Sequence, residues 1–196
     1  LGEHREAVGS LARAADLDPG NVDARYRKGL ALAAAGEYEE AIRTFGEALA
    51  LDPSHGQAWV SKGTTLAHLG RADEAVKAFE RAIGLEPLEV PVHVALGKAL
   101  MDLGRFGEAA RAFERGLLID PGRADLWILK GSSEMELGKF GNAAASFGEA
   151  VGHEPGNPEP WYQLAHVLEK ADLPEDALNA LEGFLTLMPG STEAWM

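Results

Sequence analysis

Pro19, Pro53, Pro87, Pro121, Pro155 and Pro189 each stand 34 residues after the last. A fixed step of this size constrains the fold more than any other feature. Each copy must be one supersecondary unit that buries its apolar face on the copy beside it. Other registers keep the same step: Ala7, Ala41, Ala75, Ala109, Ala143 and Ala177; Gly29, Gly63, Gly97 and Gly131; Gly2, Gly36, Gly70, Gly104 and Gly138. Phe45, Phe79, Phe113 and Phe147 form an aromatic series with Leu11 and Leu181 at its ends. Trp59, Trp127, Trp161 and Trp195 form another, with Arg25 and His93 filling its gaps. So many registers held in step exclude coincidence.

Within a copy the apolar spacing is helical. "AWVSKGTTLAHLG" puts Trp59, Leu66 and Leu69 on one face, and "EAVKAFERAIGL" does the same for Ala75, Val76, Phe79, Ala82 and Ile83. Gly70-Arg71 leaves room only for a tight turn, so the two helices run antiparallel. The Asp-Pro or Glu-Pro pair closes the second helix, because the residue before proline resists the α conformation and proline has no N–H. Asn21, Ser54 and Asn157 are the expected N-caps of the next helix, with Pro158 in a first turn. A glycine inside a helix, such as Gly63, costs ~1 kcal/mol relative to alanine. Its recurrence predicts a partner helix too close for a Cβ.

The period together with its Trp, Gly, Ala, Phe and Pro registers resembles the tetratricopeptide (TPR) repeat. The resemblance spans the chain: half a repeat at 1–21, full repeats at 22–55, 56–89, 90–123, 124–157 and 158–191, and the start of another at 192–196. It implies an all-α fold, a single right-handed superhelix of antiparallel helix pairs, with first helices lining a concave groove. Some positions depart from the pattern. Lys28, Lys62 and Lys130 stand where the family usually has leucine, and Glu134 stands where Leu32, Leu66, Leu100 and Leu168 stand in other copies. Lys130 and Glu134 read first as an intrahelical pair worth a few tenths of a kcal/mol. The copy at 158–191 is the least regular, with Ala165 for the glycine, Asp172 for the turn glycine and Phe184 for a small residue. Its packing is expected to differ.

The chain starts with "LGEHREAVGS" and begins and ends inside copies, which reads as a segment of a longer protein. Leu1-Gly2 and Trp195 are then uncapped, and self-association through such ends is one expectation.

Composition removes several function classes. There is no cysteine, hence no disulfide and no thiolate metal site. No apolar run reaches 18 residues, so no membrane span is expected. With 18 Lys+Arg against 31 Asp+Glu the net charge is −13, which argues against nucleic acid. No GxxxxGK[ST] loop or HExxH motif occurs, and His4, His55, His68, His93, His153 and His166 lack ligand spacing. His93 belongs to the Trp register and is expected in the core. Glu37, Glu39, Glu40, Asp73, Glu74, Glu108, Glu175 and Asp176 cluster at turns and helix starts, where they complement the helix dipole. No catalytic residue, cofactor or metal is therefore expected, and the compartment is cytoplasmic only by default.

Function is then expected on the first helices. The resemblance implies ligand contacts at fixed places after each Trp-register residue. These are Tyr26, Arg27, Leu30 and Ala33; Val60, Ser61, Thr64 and Ala67; Val94, Ala95, Lys98 and Met101; Ile128, Leu129, Ser132 and Met135; Tyr162, Gln163, His166 and Glu169. The peptide-binding set is Tyr26, Arg27, Leu30, Val60, Ser61, Thr64, Val94, Lys98, Met101, Ile128, Ser132, Met135, Tyr162, Gln163 and His166. It has no Asn and only two cations, unlike the clamps that hold acidic chaperone tails in some TPR domains. The expected partner is a protein or peptide offering an apolar or amphipathic segment, neutral or basic because Asp23, Asp125 and Glu159 line the groove entrance. The alternatives are a self-assembling scaffold and an accessory array beside an enzyme domain.

Overall fold

The computed structural model describes residues 8–11, 13–14, 17–85 and 89–190. The expected end at Leu1-Gly2, the Glu86-Pro87 stop and the new start at Trp195 lie outside them. Residues 8–11, 13, 14 and 17 are helical, and ten further helices follow among the described residues, with no strand. They are α1 (Val22–Ala34), α2 (Tyr38–Leu51), α3 (Gly56–His68), α4 (Ala72–Leu85) and α5 (Val90–Asp102). Then come α6 (Phe106–Ile119), α7 (Ala124–Glu136), α8 (Phe140–His153), α9 (Pro158–Lys170) and α10 (Pro174–Leu187). The chain divides into two compact units, Leu1–Leu103 and Gly104–Met196. In unit 1 each helix from α1 to α5 packs on the next, and the first helices α1, α3 and α5 also touch in succession. In unit 2 the helices from α6 to α10 pack in the same sequential way.

Three repeated contacts explain the registers. First, a Cβ placed on Gly29, Gly63 or Gly131 would lie 2.5, 2.7 or 2.9 Å from the ring of Phe45, Phe79 or Phe147. The glycine is thus the floor on which the second helix seats its phenylalanine, and all three rings are at most 1% exposed. Each such burial contributes about 1.5–3 kcal/mol, which outweighs the ~1 kcal/mol helix cost of the glycine. Second, the indole N–H of Trp59, Trp127 and Trp161 donates to the carbonyl of Pro53, Pro121 and Pro155 at 2.9, 2.9 and 3.0 Å. The two registers are therefore one device, in which each new helix ties itself to the stop before it. Third, the turn between first and second helix uses a left-handed residue: Gly36, Gly70, Gly104 and Gly138 have φ of 81, 71, 69 and 70°. At α3, Gly70 N–H donates to Ala67 and Arg71 N–H to Leu66, closing the orphan carbonyls before α4 starts.

The N-caps correct one expectation. Asn21 and Asn157 do cap, accepting from Ala24 N–H at 2.8 Å and Glu159 N–H at 3.1 Å. Ser54 does not. His55 caps α3, with Nδ1 accepting from Ala58 N–H at 3.1 Å, while Ser54 donates its N–H and hydroxyl to Asp52 Oδ1. The N-caps Asn21, His55, Glu89, Arg123 and Asn157 obey the 34-residue step, so counting from Asn21 would have found His55.

The Lys130–Glu134 pair is also more than a surface pair. Lys130 Nζ lies 2.8 Å from Glu134 Oε1 and 3.1 Å from Ser146 Oγ, and Ser146 Oγ donates to Glu134 Oε2 at 2.7 Å. Glu134 is 5% exposed, so its carboxylate is held by a closed network inside unit 2. Lys130 Nζ also stands 5.5 Å from the Trp127 ring centre, as Lys62 does over Trp59. His93 is buried, as its register implies.

The last pair does pack differently. Leu181 stands for the phenylalanine, which makes room for Ala165, and Gly183 instead seats Trp161, where a Cβ would lie 2.5 Å away. Phe184 reaches Tyr162, ring centres 5.6 Å apart.

A pair of hollows on the first helices

In unit 1 the first helices leave two neighbouring hollows. The first, about 260 Å³, lies between α1 and α3 over Phe45 and is lined by Leu30, Ala33, Tyr38, Val60, Ser61, Thr64, Thr65 and His68. The second, about 250 Å³, lies between α3 and α5 over Phe79 and is lined by Thr64, Ala67, His68, Ala95, Lys98, Ala99 and Asp102. Most of the second lining is the first shifted by 34 residues: Leu30 to Thr64, Ala33 to Ala67, Ser61 to Ala95, Thr64 to Lys98, His68 to Asp102. The hollows are one feature written twice, and Thr64 and His68 form the wall between them.

The reason for the space is side-chain size. Ala33 and Ala67 stop at Cβ, so space remains above the buried rings of Phe45 and Phe79. The same register carries Met101 and Met135 further on. In unit 2, Met135 and Ile128 lie packed against the cluster of Ala143, Phe147 and Val167.

The polar character differs between the hollows. Thr64 donates its hydroxyl to the Val60 carbonyl at 3.0 Å and Thr65 to that of Ser61 at 2.7 Å, a helical habit that leaves their oxygens as acceptors only. The His68 ring stacks on Tyr38, centres 5.9 Å apart and 12° between planes. Lys98 and Asp102, one turn apart on α5, are both exposed, and among the described residues neither makes an ion pair.

Of the residues expected to bind, Leu30, Val60, Ser61, Thr64 and Lys98 line the hollows. Tyr26 instead packs on the Phe45 cluster, with its ring 4.7 Å from that of His55. Arg27 is held by Asp23 at 2.8 Å. Val94 and Met101 are half-buried on α5 outside either lining. In unit 2, Ile128 and Met135 pack inward, Ser132 donates to the Ile128 carbonyl at 2.9 Å, and Gln163 and His166 are half-buried on α9. Tyr38, His68 and Asp102 were not anticipated. His68 and Asp102 share one register, nine places after Trp59 and His93, and that was the available signal.

Unit 2 has a hollow of its own, about 300 Å³, lined by Ala165, Glu169, Pro174, Ala177, Leu178 and Leu181. Ala177 is half-buried there, whereas Ala41, Ala75, Ala109 and Ala143 are completely buried. Among the described residues no group of three or more His, Cys, Asp or Glu side chains could hold a metal. No described helix is long and apolar enough to cross a membrane.

Antiparallel helix pairs joined by one repeated turn, with hollows between successive first helices, define a helical-repeat protein. Profiles of the tetratricopeptide repeat family match residues 1–45, 34–89, 66–132 and 134–196, and the chain belongs to that family. A search of curated proteins returns no match. Among solved structures the chain is similar to YrrB, described as a TPR protein with an unusual peptide-binding site. That likeness has a TM-score of 0.81 at 19% identity, over 92% of this chain and 93% of that one. It is similar also to MamA, with TM-score 0.76, 18% identity and 84% and 96% coverage. MamA 41-end from Desulfovibrio magneticus RS-1 gives TM-score 0.74, 20% identity and 85% and 95% coverage. At these identities the likeness establishes the all-α TPR fold.

Proposed function

We propose that this chain is a non-enzymatic protein-interaction module whose first helices bind an apolar or amphipathic segment of a partner. The observation that carries the reading is the pair of register-equivalent hollows in unit 1, walled by Leu30, Val60, Ser61, Thr64 and Lys98. Tyr26, Arg27, Val94 and Met101 flank them on the same helices. Ser132, Tyr162, Gln163 and His166 hold the corresponding positions of unit 2, where Ile128 and Met135 are packed inward. The apolar floors give affinity without strict shape demands, and the hydroxyl and charged walls set register.

The experiment is capture of partners from a lysate of the source cell, comparing the native chain with Leu30→Asp/Val60→Asp and with Leu178→Glu. A protein held by the native chain and by Leu178→Glu but lost by the double variant supports the reading. Retention by all three defeats it. The competing reading, a self-assembling scaffold, draws support from Leu178, 61% exposed beside the unit 2 hollow. It predicts association of the chain with itself that Leu178→Glu alone abolishes, seen by sedimentation.

A further inference from the structure

We infer that the Lys130–Glu134–Ser146 network is a pairing key: it makes α7 accept α8 and reject the second helices of other copies, in the same chain or in a second one. A chain written on one period needs such a device. The contacts that join first helix to second helix repeat almost unchanged, with Gly29 under Phe45, Gly63 under Phe79 and Gly131 under Phe147. Gly131 therefore offers the same floor to Phe45, Phe79 or Phe113 as to Phe147. The turns repeat as well, since Gly36, Gly70, Gly104 and Gly138 share one left-handed conformation. Interchangeable seams let copies pair out of step, and contacts of that kind between molecules grow without closing.

The network is the part of the α7–α8 seam that does not repeat. Ser146 Oγ donates to Glu134 Oε2 at 2.7 Å, and Lys130 Nζ reaches Glu134 Oε1 at 2.8 Å and Ser146 Oγ at 3.1 Å. Ser146 and Glu134 are both buried, so water is a poor substitute for a missing partner. Lys28 and Lys62 share the register of Lys130, but Leu32, Leu66, Leu100 and Leu168 stand at that of Glu134. On the second helices Ala78, Ala112 and Ala180 stand, buried, at the register of Ser146, and Thr44 gives its proton to the Glu40 carbonyl at 2.8 Å. Set against α4, α6 or α10 in this way, α7 would bury a carboxylate that has lost its hydroxyl donor. Set against α2, it would compete with the Glu40 carbonyl. Losing a hydrogen bond to a buried charge disfavours such a pair on the order of tenfold or more. The reverse mismatch costs less, because Ser146 placed against a leucine turns its hydroxyl to its own helix, as Thr44 does. The discrimination therefore resides in Glu134. Stability is not what the network adds, since an apolar trio of similar volume holds such a seam equally well.

The test is refolding of the full chain from urea by rapid dilution over a range of protein concentrations. Size-exclusion chromatography with light scattering separates the original species from misassembled material. Lys130→Met/Glu134→Leu/Ser146→Ala gives this seam the apolar character of the other copies. Lys62→Met adds the same methionine in the same register without touching the network. Circular dichroism and urea unfolding verify that each variant keeps its helices and its stability. The native chain and Lys62→Met should return to the original species, whereas the triple variant should leave about fivefold more misassembled material, rising with concentration. Ala78→Ser/Ala112→Ser hands the hydroxyl to two wrong partners and leaves α7 and α8 untouched. It should raise the misassembled fraction about twofold, a second readout should the triple variant fail to fold. Equal recovery of the triple variant and the native chain overturns the inference. So does an equal rise for Lys62→Met, which would trace the material to added apolar surface, and so does native recovery of Ala78→Ser/Ala112→Ser.

Discussion

The two units share one 34-residue plan and spend it differently. In unit 1, Ala33 and Ala67 leave hollows over Phe45 and Phe79, and Leu32, Leu66 and Leu100 fill the core position one place before that register. In unit 2, Met135 lies against the Phe147 cluster, and in that copy the core leucine is replaced by Glu134, tied to Lys130 and Ser146, while Leu168 keeps it in the next. The contacts that hold helix to helix are the same in both, glycine under phenylalanine and tryptophan onto the proline carbonyl. The repeat therefore varies at the first-helix face, at single core positions and, in the last pair, at the seam itself, where Leu181 and Ala165 replace the phenylalanine–glycine contact and Gly183 seats Trp161.

The largest effect expected from this difference is at Lys130. Lys130→Met leaves the Glu134 carboxylate in the core without its cation and should cost about 3 kcal/mol by urea denaturation. Lys130→Met/Glu134→Leu, which restores the leucine of the other copies, should regain most of that. A single variant as stable as the native chain would show that the network contributes nothing. Next, Met135→Ala should lower stability by about 2 kcal/mol and leave a hollow like those of unit 1, visible in a crystal structure of the variant. Ala67→Met, the reverse exchange, should fill the second hollow while changing stability by less than ~1 kcal/mol, since the space is open to solvent.

A smaller gain is expected at the last turn. Asp172 holds φ of 61° where the other copies have glycine, so Asp172→Gly should stabilise by about 0.5–1 kcal/mol in thermal unfolding. An unchanged or lower midpoint would mean that its side chain offsets the backbone cost.

The smallest effect concerns pH. Hydrogen bonds from Arg43, Arg71 and Arg105 hold the carboxyls of Glu40, Glu74 and Glu108 below the ordinary glutamate value. Their folded values are lower than the unfolded ones, so the support they give is complete above the ordinary glutamate range and fades as pH falls through the lowered values. Carboxyl chemical shifts followed by NMR should show all three titrating below the ordinary glutamate range, and salt should narrow the gap.

Much of this architecture was legible in the chain. The prolines mark where second helices stop, the apolar spacing sets both faces of each pair, and the recurring interior glycine announced a close contact before its partner was known. Asn21 and Asn157 cap as expected, whereas Ser54 yielded to His55, because cap chemistry was weighed there without the period. The residues that line the hollows were harder to place. Leu30, Val60, Ser61, Thr64 and Lys98 were legible by register, but the same register named Ile128 and Met135, which turn inward, and Tyr26, whose ring lies tilted against His55. Register states which way a helix face points, not whether a neighbour has filled the space before it.

The sequence by itself determined the helices, their order, their antiparallel pairing and the seams, because each depends on residues close along the chain or on a strictly repeated spacing. Only the tertiary structure decided where space remains and which charges are free. The hollow between α3 and α5 is bounded by side chains from Thr64 to Asp102, and the Glu134 network joins two helices. Volume and electrostatic pairing are properties of several chain segments at once, and no one copy of the repeat contains them.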